Sequence, residues 1–186
     1  MQKLKILPFF FVIILPQKIK AIIESDVFPE LTFYSALRED NYERVKALLD
    51  SGSVSVNEYD FDKFTPLAYS IKNNNEQMFF LLIENKANLN MTILNKISYL
   101  IYSVLISREN FVPLLVKNGA NINFQDQIGR TALMIAVEEN NLSAVIELLK
   151  FDNNLGINDY SGKTVFDYAE LSRVPQIKKI LSSLKN

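Results

Sequence analysis

Apolar and small residues recur along this chain in three columns that keep a spacing of 33 or 34 residues over five segments. Each segment has an apolar residue, a small residue three positions later, and a leucine twelve positions after that. Such phasing predicts a structural repeat rather than a single irregular core. The small residues are Ala36, Ser70, Ser103, Ala136 and Ala169, and the leucines are Leu48, Leu82, Leu115, Leu148 and Leu181.

The pattern inside each segment predicts two short helices joined by a tight turn. In the fourth segment, Thr131 is placed to cap a first helix that runs to about Glu139. Asn140 and Asn141 suit the turn, because asparagine tolerates a left-handed backbone, and a second helix follows from about Leu142. One such pair cannot bury both of its faces, so neighbouring pairs must stack. We therefore expect an all-α solenoid of stacked helix–turn–helix units with hairpin or loop fingers between them.

The residues that open and close the segments identify a family resemblance. The openings read TPLAYS at 65–70 and GRTALMIA at 129–136, and a closing GANIN stands at 119–123. These motifs resemble those of ankyrin repeats. The resemblance implies a repeat domain over residues 30–186, with units of about 30–62, 63–95, 96–128, 129–161 and 162–186. It also implies a non-enzymatic module that binds another protein.

The sequence departs from the ankyrin pattern at one column. The family places a histidine there that bridges neighbouring units, whereas this chain contains no histidine. Hydrogen bonds between units must therefore be lost or made by other residues. The five equivalent positions hold Tyr34, Ala68, Ile101, Met134 and Asp167.

The first residues resemble a secretory signal peptide. Lys3 and Lys5 precede an uncharged run over 6–15, and Ala21 suits the position before a cleavage site. We expect a signal peptide over 1–21, a lead-in segment over 22–29, and a protein that is exported to the periplasm or secreted. An uncleaved anchor and an ordinary segment are the alternatives, although ten apolar residues are half of what a membrane span needs. After cleavage we expect no stable membrane span.

Composition and charge narrow the classes of function. The chain lacks cysteine and histidine, which removes thiolate and imidazole chemistry. Beyond residue 21 it carries 16 basic and 21 acidic residues, so we expect no nucleic-acid binding. Glu138, Glu139 and Asp159 are acid–base candidates by residue type alone. We expect no enzyme activity, no catalytic residues, no cofactor and no metal.

The resemblance places partner contacts on the finger tips and on the exposed side of each first helix. Polar residues are usual there, but this chain carries an apolar strip at those positions. Exposed apolar surface commonly marks a binding site. The alternative is that irregular fingers, with Lys63 and Lys96 in place of glycine, fold the strip inward. The predicted partner-binding residues are Tyr59, Phe61, Phe64, Leu94, Leu105, Ile106, Phe124, Ile128 and Tyr160.

The biological setting is an expectation by analogy. The chain has 19 asparagines and 19 isoleucines, a bias that indicates an AT-rich genome. The chain thus resembles exported ankyrin proteins of host-associated bacteria, which implies a host protein as partner of a monomeric module. The alternative is a periplasmic or envelope inhibitor, or an immunity-type protein, that masks a partner enzyme.

Overall fold

A computed structural model describes residues 28–94 and 96–185 of the protein. The predicted signal peptide and residues 22–27 of the predicted lead-in lie outside the described residues. The described part contains ten helices and one pair of two-residue strands. None of the helices in this part is long and apolar enough to cross a membrane. The chain divides into two compact units, and the second begins at Val56.

The described part of the first unit is one helix pair, α1 (Pro29–Arg38) and α2 (Tyr42–Asp50). Asn41 caps α2 by accepting a hydrogen bond from the backbone N–H of Arg44 at 3.1 Å. Phe33 and Val45 are among the side chains buried in this pair. The division between the two units falls within the first predicted repeat, and the limits of the predicted repeats stay a prediction.

The second unit consists of four helix pairs that follow one another along the chain. First helices contact the next first helices, and second helices contact the next second helices, so the pairs stack as predicted. The predicted all-α solenoid of stacked helix–turn–helix units is thus confirmed as the fold class. Its elements are α3 (Pro66–Lys72), α4 (Glu76–Glu84), β1 (Thr92–Ile93), β2 (Ile97–Ser98), α5 (Tyr99–Leu105), α6 (Phe111–Lys117), α7 (Ala132–Glu138), α8 (Leu142–Leu148), α9 (Val165–Leu171) and α10 (Pro175–Ser182).

Hydroxyl side chains fix where the first helices begin. Thr65, Ser98 and Thr131 each accept a hydrogen bond from the backbone N–H three residues later, at 3.3 to 3.4 Å. Such caps satisfy donors that a helix leaves unpaired at its start. The predicted cap at Thr131 is therefore confirmed. Asn140 takes the predicted left-handed turn conformation, with φ of 56°.

The small-residue column lies where adjacent first helices meet. Ser70, Ser103 and Ala136 are completely buried. The two serine hydroxyls donate to the carbonyls of Leu67 and Leu100 at 2.7 and 2.8 Å, which avoids an unpaired polar group in the core. A small side chain at this column allows the helices to approach closely.

Asparagine side chains join each repeat of the second unit to the next. Asn57, Asn90 and Asn123 each accept a hydrogen bond from a backbone N–H 31 residues later, at 2.8 to 3.0 Å. Asn57 and Asn90 also donate to backbone carbonyls 29 residues later. We call Asn57, Asn90 and Asn123 the asparagine ladder. Because its bonds reach from one repeat to the backbone of the next, the ladder fixes the position of each repeat along the stack relative to the preceding one.

Hydroxyl, amide and carboxylate groups make further bonds between repeats. Thr65 and Tyr99 share a buried hydrogen bond of 2.7 Å between their hydroxyls. At the turns inside the helix pairs, Asn110 donates to Asn74 at 3.0 Å, and Asn140 accepts from the Ser172 hydroxyl at 2.9 Å. Two carboxylates take part as well, since Glu76 accepts from Asn110 and Glu109 accepts from Asn141. Bonds between repeats are thus made without histidine.

Removing one member of the ladder should destabilise the second unit. We expect Asn90→Ala to lower the free energy of unfolding by about 1–2 kcal/mol, because a backbone donor and a carbonyl lose their partner. Urea unfolding followed by circular dichroism measures the change. Asn158→Ala is the control, since the Asn158 side chain is exposed and bonds to none of the described residues. Equal effects of the two substitutions would contradict a structural role for the ladder.

Candidate partner-binding surface

Buried aspartates shape three of the hairpin fingers in the second unit. Asp60, Asp126 and Asp159 occupy the same place in their fingers and are each less than 9% exposed. One carboxylate oxygen of each accepts hydrogen bonds from the backbone N–H groups two and four residues later, at 2.8 to 3.0 Å. These bonds hold the hairpin closed from the inside.

The second carboxylate oxygen ties each finger to neighbouring side chains. Asp60 and Asp159 accept from the hydroxyls of Tyr69 and Tyr168, at 2.6 and 2.7 Å. In the finger of Asp126, Ile135 occupies the position of the tyrosine. Arg130 donates to Asp126 instead, at 2.8 and 3.0 Å. A different donor thus satisfies the same oxygen.

The finger over residues 92–98 is built differently. Ile93 takes the place of the aspartate and is buried. Strands β1 and β2 pair antiparallel here, with Thr92 opposite Ser98. Apolar packing and one strand pair therefore replace the carboxylate that organises the other three fingers.

Lysine replaces glycine in two fingers without unfolding the turn. Lys63 and Lys96 adopt φ of 61° and 62°, the left-handed region that Gly129 and Gly162 also occupy. At Gly129 a side chain is excluded, because a Cβ atom would lie 2.6 Å from the backbone nitrogen of Tyr160. The finger of Lys63 keeps the same backbone hydrogen bonds as the fingers of Gly129 and Gly162. The irregular turn expected at Lys63 is therefore absent.

The structure divides the predicted partner-binding residues into two groups. Phe61, Ile128 and Tyr160 are exposed by 88%, 53% and 66% and project from the fingers. Tyr59, Leu94 and Leu105 are also exposed, to a smaller extent. The half-buried members are Phe64, Ile106 and Phe124.

The half-buried aromatic residues have structural contacts. The Phe64 ring lies 5.6 Å from the rings of both Tyr69 and Tyr102, and the Lys72 ammonium lies 5.5 Å from its centroid. Phe124 has the Lys96 ammonium 6.0 Å from its centroid. Aromatic and cation–π contacts of this kind stabilise the joint between repeats. Six of the nine predicted residues are thus exposed, and the three most exposed of them lie on the finger tips.

A shallow groove runs between the first two fingers of the second unit. It has a volume of about 300 Å³, and its lining includes Tyr59, Lys63, Ile93 and Leu94. The Tyr59 hydroxyl donates to the carbonyl of Thr92 at 2.7 Å and so bridges the two fingers. The groove offers an apolar surface with one cation at its edge.

The electrostatics of the finger carboxylates suit a structural role. The Tyr168 hydroxyl, against the opposing effect of burial, and the N–H groups of Lys163 and Ser161 hold the pKa of Asp159 well below its usual range. Burial, and then the hydrogen bond and charge of Asp159, raise the pKa of Tyr168. Asp159 thus stays an ionised acceptor whose oxygens are occupied, which does not suit a general acid or base. Among the described residues, no group of three potential metal ligands comes together.

Sequence reasoning overlooked the role of the buried aspartates, although a signal was present. Aspartate occurs at positions 60, 126 and 159, which are separated by one or two repeat lengths. Tyrosine follows nine residues after two of them. A periodic acid with a periodic hydroxyl partner indicates a structural hydrogen bond.

The three last helix pairs correspond to a known repeat family. Residues 100–185 match the family model described as Ankyrin repeats (3 copies). This segment runs from the second residue of α5 to just beyond α10, so each copy corresponds to one helix pair. A search of curated proteins found no match. Ankyrin repeats are generally protein-binding and non-enzymatic modules.

Removing the Tyr168 hydroxyl should change how stability depends on pH. In the folded protein Asp159 keeps its charge to lower pH than in the unfolded chain, so its stabilising effect is complete above a pH of about 4 and is lost as pH falls further. We expect Tyr168→Phe to lower Tm at pH 7, and the difference from the wild type to shrink between pH 4 and pH 2.5. Thermal scans across this range measure it.

Tyr160→Phe is the matched control for this experiment. The Tyr160 side chain is exposed, and its hydroxyl bonds to none of the described residues. Its Tm should follow that of the wild type at every pH. A Tyr168→Phe deficit that stays constant down to pH 2.5 would contradict the hydrogen bond to an ionised carboxylate.

Proposed function

We propose that this protein is a non-enzymatic module that binds another protein through the tips of its fingers. The observation that carries the proposal is the exposure of Phe61, Ile128 and Tyr160 on fingers that are closed by internal hydrogen bonds. Large apolar side chains at such positions are costly to keep in water, and aromatic residues frequently dominate binding energy.

The rigidity of the fingers supports this use. The carbonyl of Ile128 accepts a hydrogen bond from the backbone N–H of Tyr160 at 2.9 Å, which fixes two successive fingers relative to each other. Gln125 donates to the carbonyl of Asn158 at 2.9 Å, which adds a second tie. A surface that is already ordered loses little conformational entropy when a partner binds.

The exposed apolar tips lie beside groups that can set the orientation of a partner. Lys63 and Lys163 are exposed on the same fingers, and Arg130 is bound to Asp126 and Glu138. Apolar contacts give most of the affinity of such an interface, whereas charges around them give specificity. The proposal therefore includes Tyr59, Leu94 and Leu105 as the margin of the contact surface.

The proposal extends to the number of repeats, the export of the protein and its source organism. We propose five repeats over residues 30–186, a signal peptide over 1–21, and export from a host-associated bacterium with a host protein as partner. Support comes from the columns that continue through the first segment and from the basic start and apolar run of the chain. These steps rest on the sequence pattern and on analogy with ankyrin proteins.

A pair of matched double variants tests the binding surface. Phe61→Ser with Tyr160→Ser removes two tip aromatics, and Phe80→Ser with Ile146→Ser removes two exposed apolar residues of second helices, which are 43% and 44% exposed. A partner is first identified by crosslinking and then purified. We expect the tip variant to bind it at least about tenfold more weakly, with Tm nearly unchanged.

The control variant should keep wild-type affinity for the same purified partner. Equal losses in both variants would show that the apolar tips have no special role. Full affinity in the tip variant would place the binding surface elsewhere on the molecule.

A fusion experiment tests export separately. Residues 1–30 joined to a phosphatase that lacks its own leader should give periplasmic activity in a Gram-negative bacterium, because the phosphatase folds only after export. N-terminal sequencing should find a cut near Ala21. An active fusion that remains uncut in the membrane fraction would identify an anchor, and an inactive fusion would rule out an export signal.

A further inference from the structure

The last helix pair carries a groove on a part of the molecule separate from the fingers. The groove has a volume of about 430 Å³ and lies between α9 and α10. Phe166, Ala169 and Leu181 form an apolar floor. Lys178, Lys179 and Lys185 line it as well, and we call this site the end groove.

The positive charges of the end groove are only partly compensated within the described part of the chain, since Lys185 interacts electrostatically with Asp167. Across residues 28–94 and 96–185, none of the three lysines forms an ion pair. Lys185 lies over the Phe166 ring, with its ammonium 5.8 Å from the centroid. Glu170 is the one acidic residue among those that line the groove. The site thus combines an apolar floor with an excess of cations.

Comparison with the preceding helix pair shows how this face differs from a face that a repeat covers. The residues 33 positions before Lys178 and Glu170 are Val145 and Val137, and both are completely buried. In that pair they lie on helices that the last pair covers. A further repeat stacked on the end groove would have to bury the charged side chains of Lys178 and Glu170, and removing charges from water costs free energy.

We propose that the end groove binds an acidic segment of a partner protein that carries an aliphatic or aromatic side chain. The apolar side chain enters the floor, and carboxylates on either side meet Lys178, Lys179 and Lys185. A cavity of this volume accommodates a large side chain. The site is independent of the finger surface, since it lies on other residues and selects a partner by charge.

Selection from a random library of twelve-residue peptides displayed on phage tests the proposal on the full chain. We expect the enriched peptides to contain Asp or Glu next to Phe or Leu. Synthetic copies should bind Lys178→Glu with Lys179→Glu at least tenfold more weakly than the wild type. Replacing their acidic residues with Gln or Asn should weaken binding to the wild type as well.

A charge-matched variant controls for the change in net charge. Lys46→Glu with Lys117→Glu reverses two exposed lysines elsewhere, and Lys117 lies in the last turn of its helix as Lys179 does. This variant should keep wild-type affinity for the peptides. Thermal scans should show that both reversed variants remain folded.

The outcomes separate this proposal from the finger surface. Peptides that lose affinity for Phe61→Ser with Tyr160→Ser but not for the Lys178 and Lys179 variant would support the fingers and overturn the end groove. Enriched peptides without acidic residues, or no enriched peptide sensitive to Lys178 and Lys179, would also overturn it. Equal weakening by the two charge-reversed variants would show an attraction without a defined site.

Discussion

The fold of the second unit depends on hydrogen bonds between asparagine side chains and the backbone of the next repeat. Its helices have seven to nine residues, which is too short for stability in isolation. Each helix pair therefore needs a neighbouring pair at a fixed distance and in a fixed register along the stack. Asn57, Asn90 and Asn123 supply this constraint, because each binds a backbone N–H 31 residues later. The donor in each bond is a backbone N–H group of the next repeat. Side chains between the ladder positions can therefore differ from repeat to repeat without changing the register of stacking.

Hydrogen bonds inside three of the fingers are a second constraint. They explain why the side chains at the finger tips are available to contact a partner. Asp60, Asp126 and Asp159 pair with the backbone of their own hairpins, so the turn does not depend on its outermost side chains. Where the tyrosine partner is replaced by Ile135, Arg130 takes over the hydrogen bond. These three fingers thus share one geometry while the donor to the second carboxylate oxygen changes, and Phe61, Ile128 and Tyr160 at their tips are exposed to water.

The sequence alone predicts the repeat, the caps and the turns, because these depend on residues close together along the chain. Thr131 caps the helix that begins at the next residue, and Asn140 determines its own backbone conformation. Whether an aromatic side chain of a finger is exposed or half-buried is harder to predict. Phe61 and Phe64 belong to the same finger, yet Phe64 is half-buried because it contacts Tyr102 in the next repeat. The backbone conformation of Lys63 is also hard to predict from the sequence. A left-handed backbone at a lysine costs about 1 kcal/mol, which nearby hydrogen bonds must offset.

The replacement of histidine changes how the stack responds to pH. Histidine titrates near neutrality, so a bridge made by histidine weakens or changes its donors between about pH 5 and 8. Here the bridges between repeats use the hydroxyls of Thr65 and Tyr99 and the amides of Asn90 and Asn140. Burial raises the pKa of Tyr99 to about 12, which moves its ionisation even further from neutrality. These bridges therefore keep the same protonation state across mildly acidic and mildly basic conditions, whereas the stabilising effect of the Asp159 carboxylate is lost in acid.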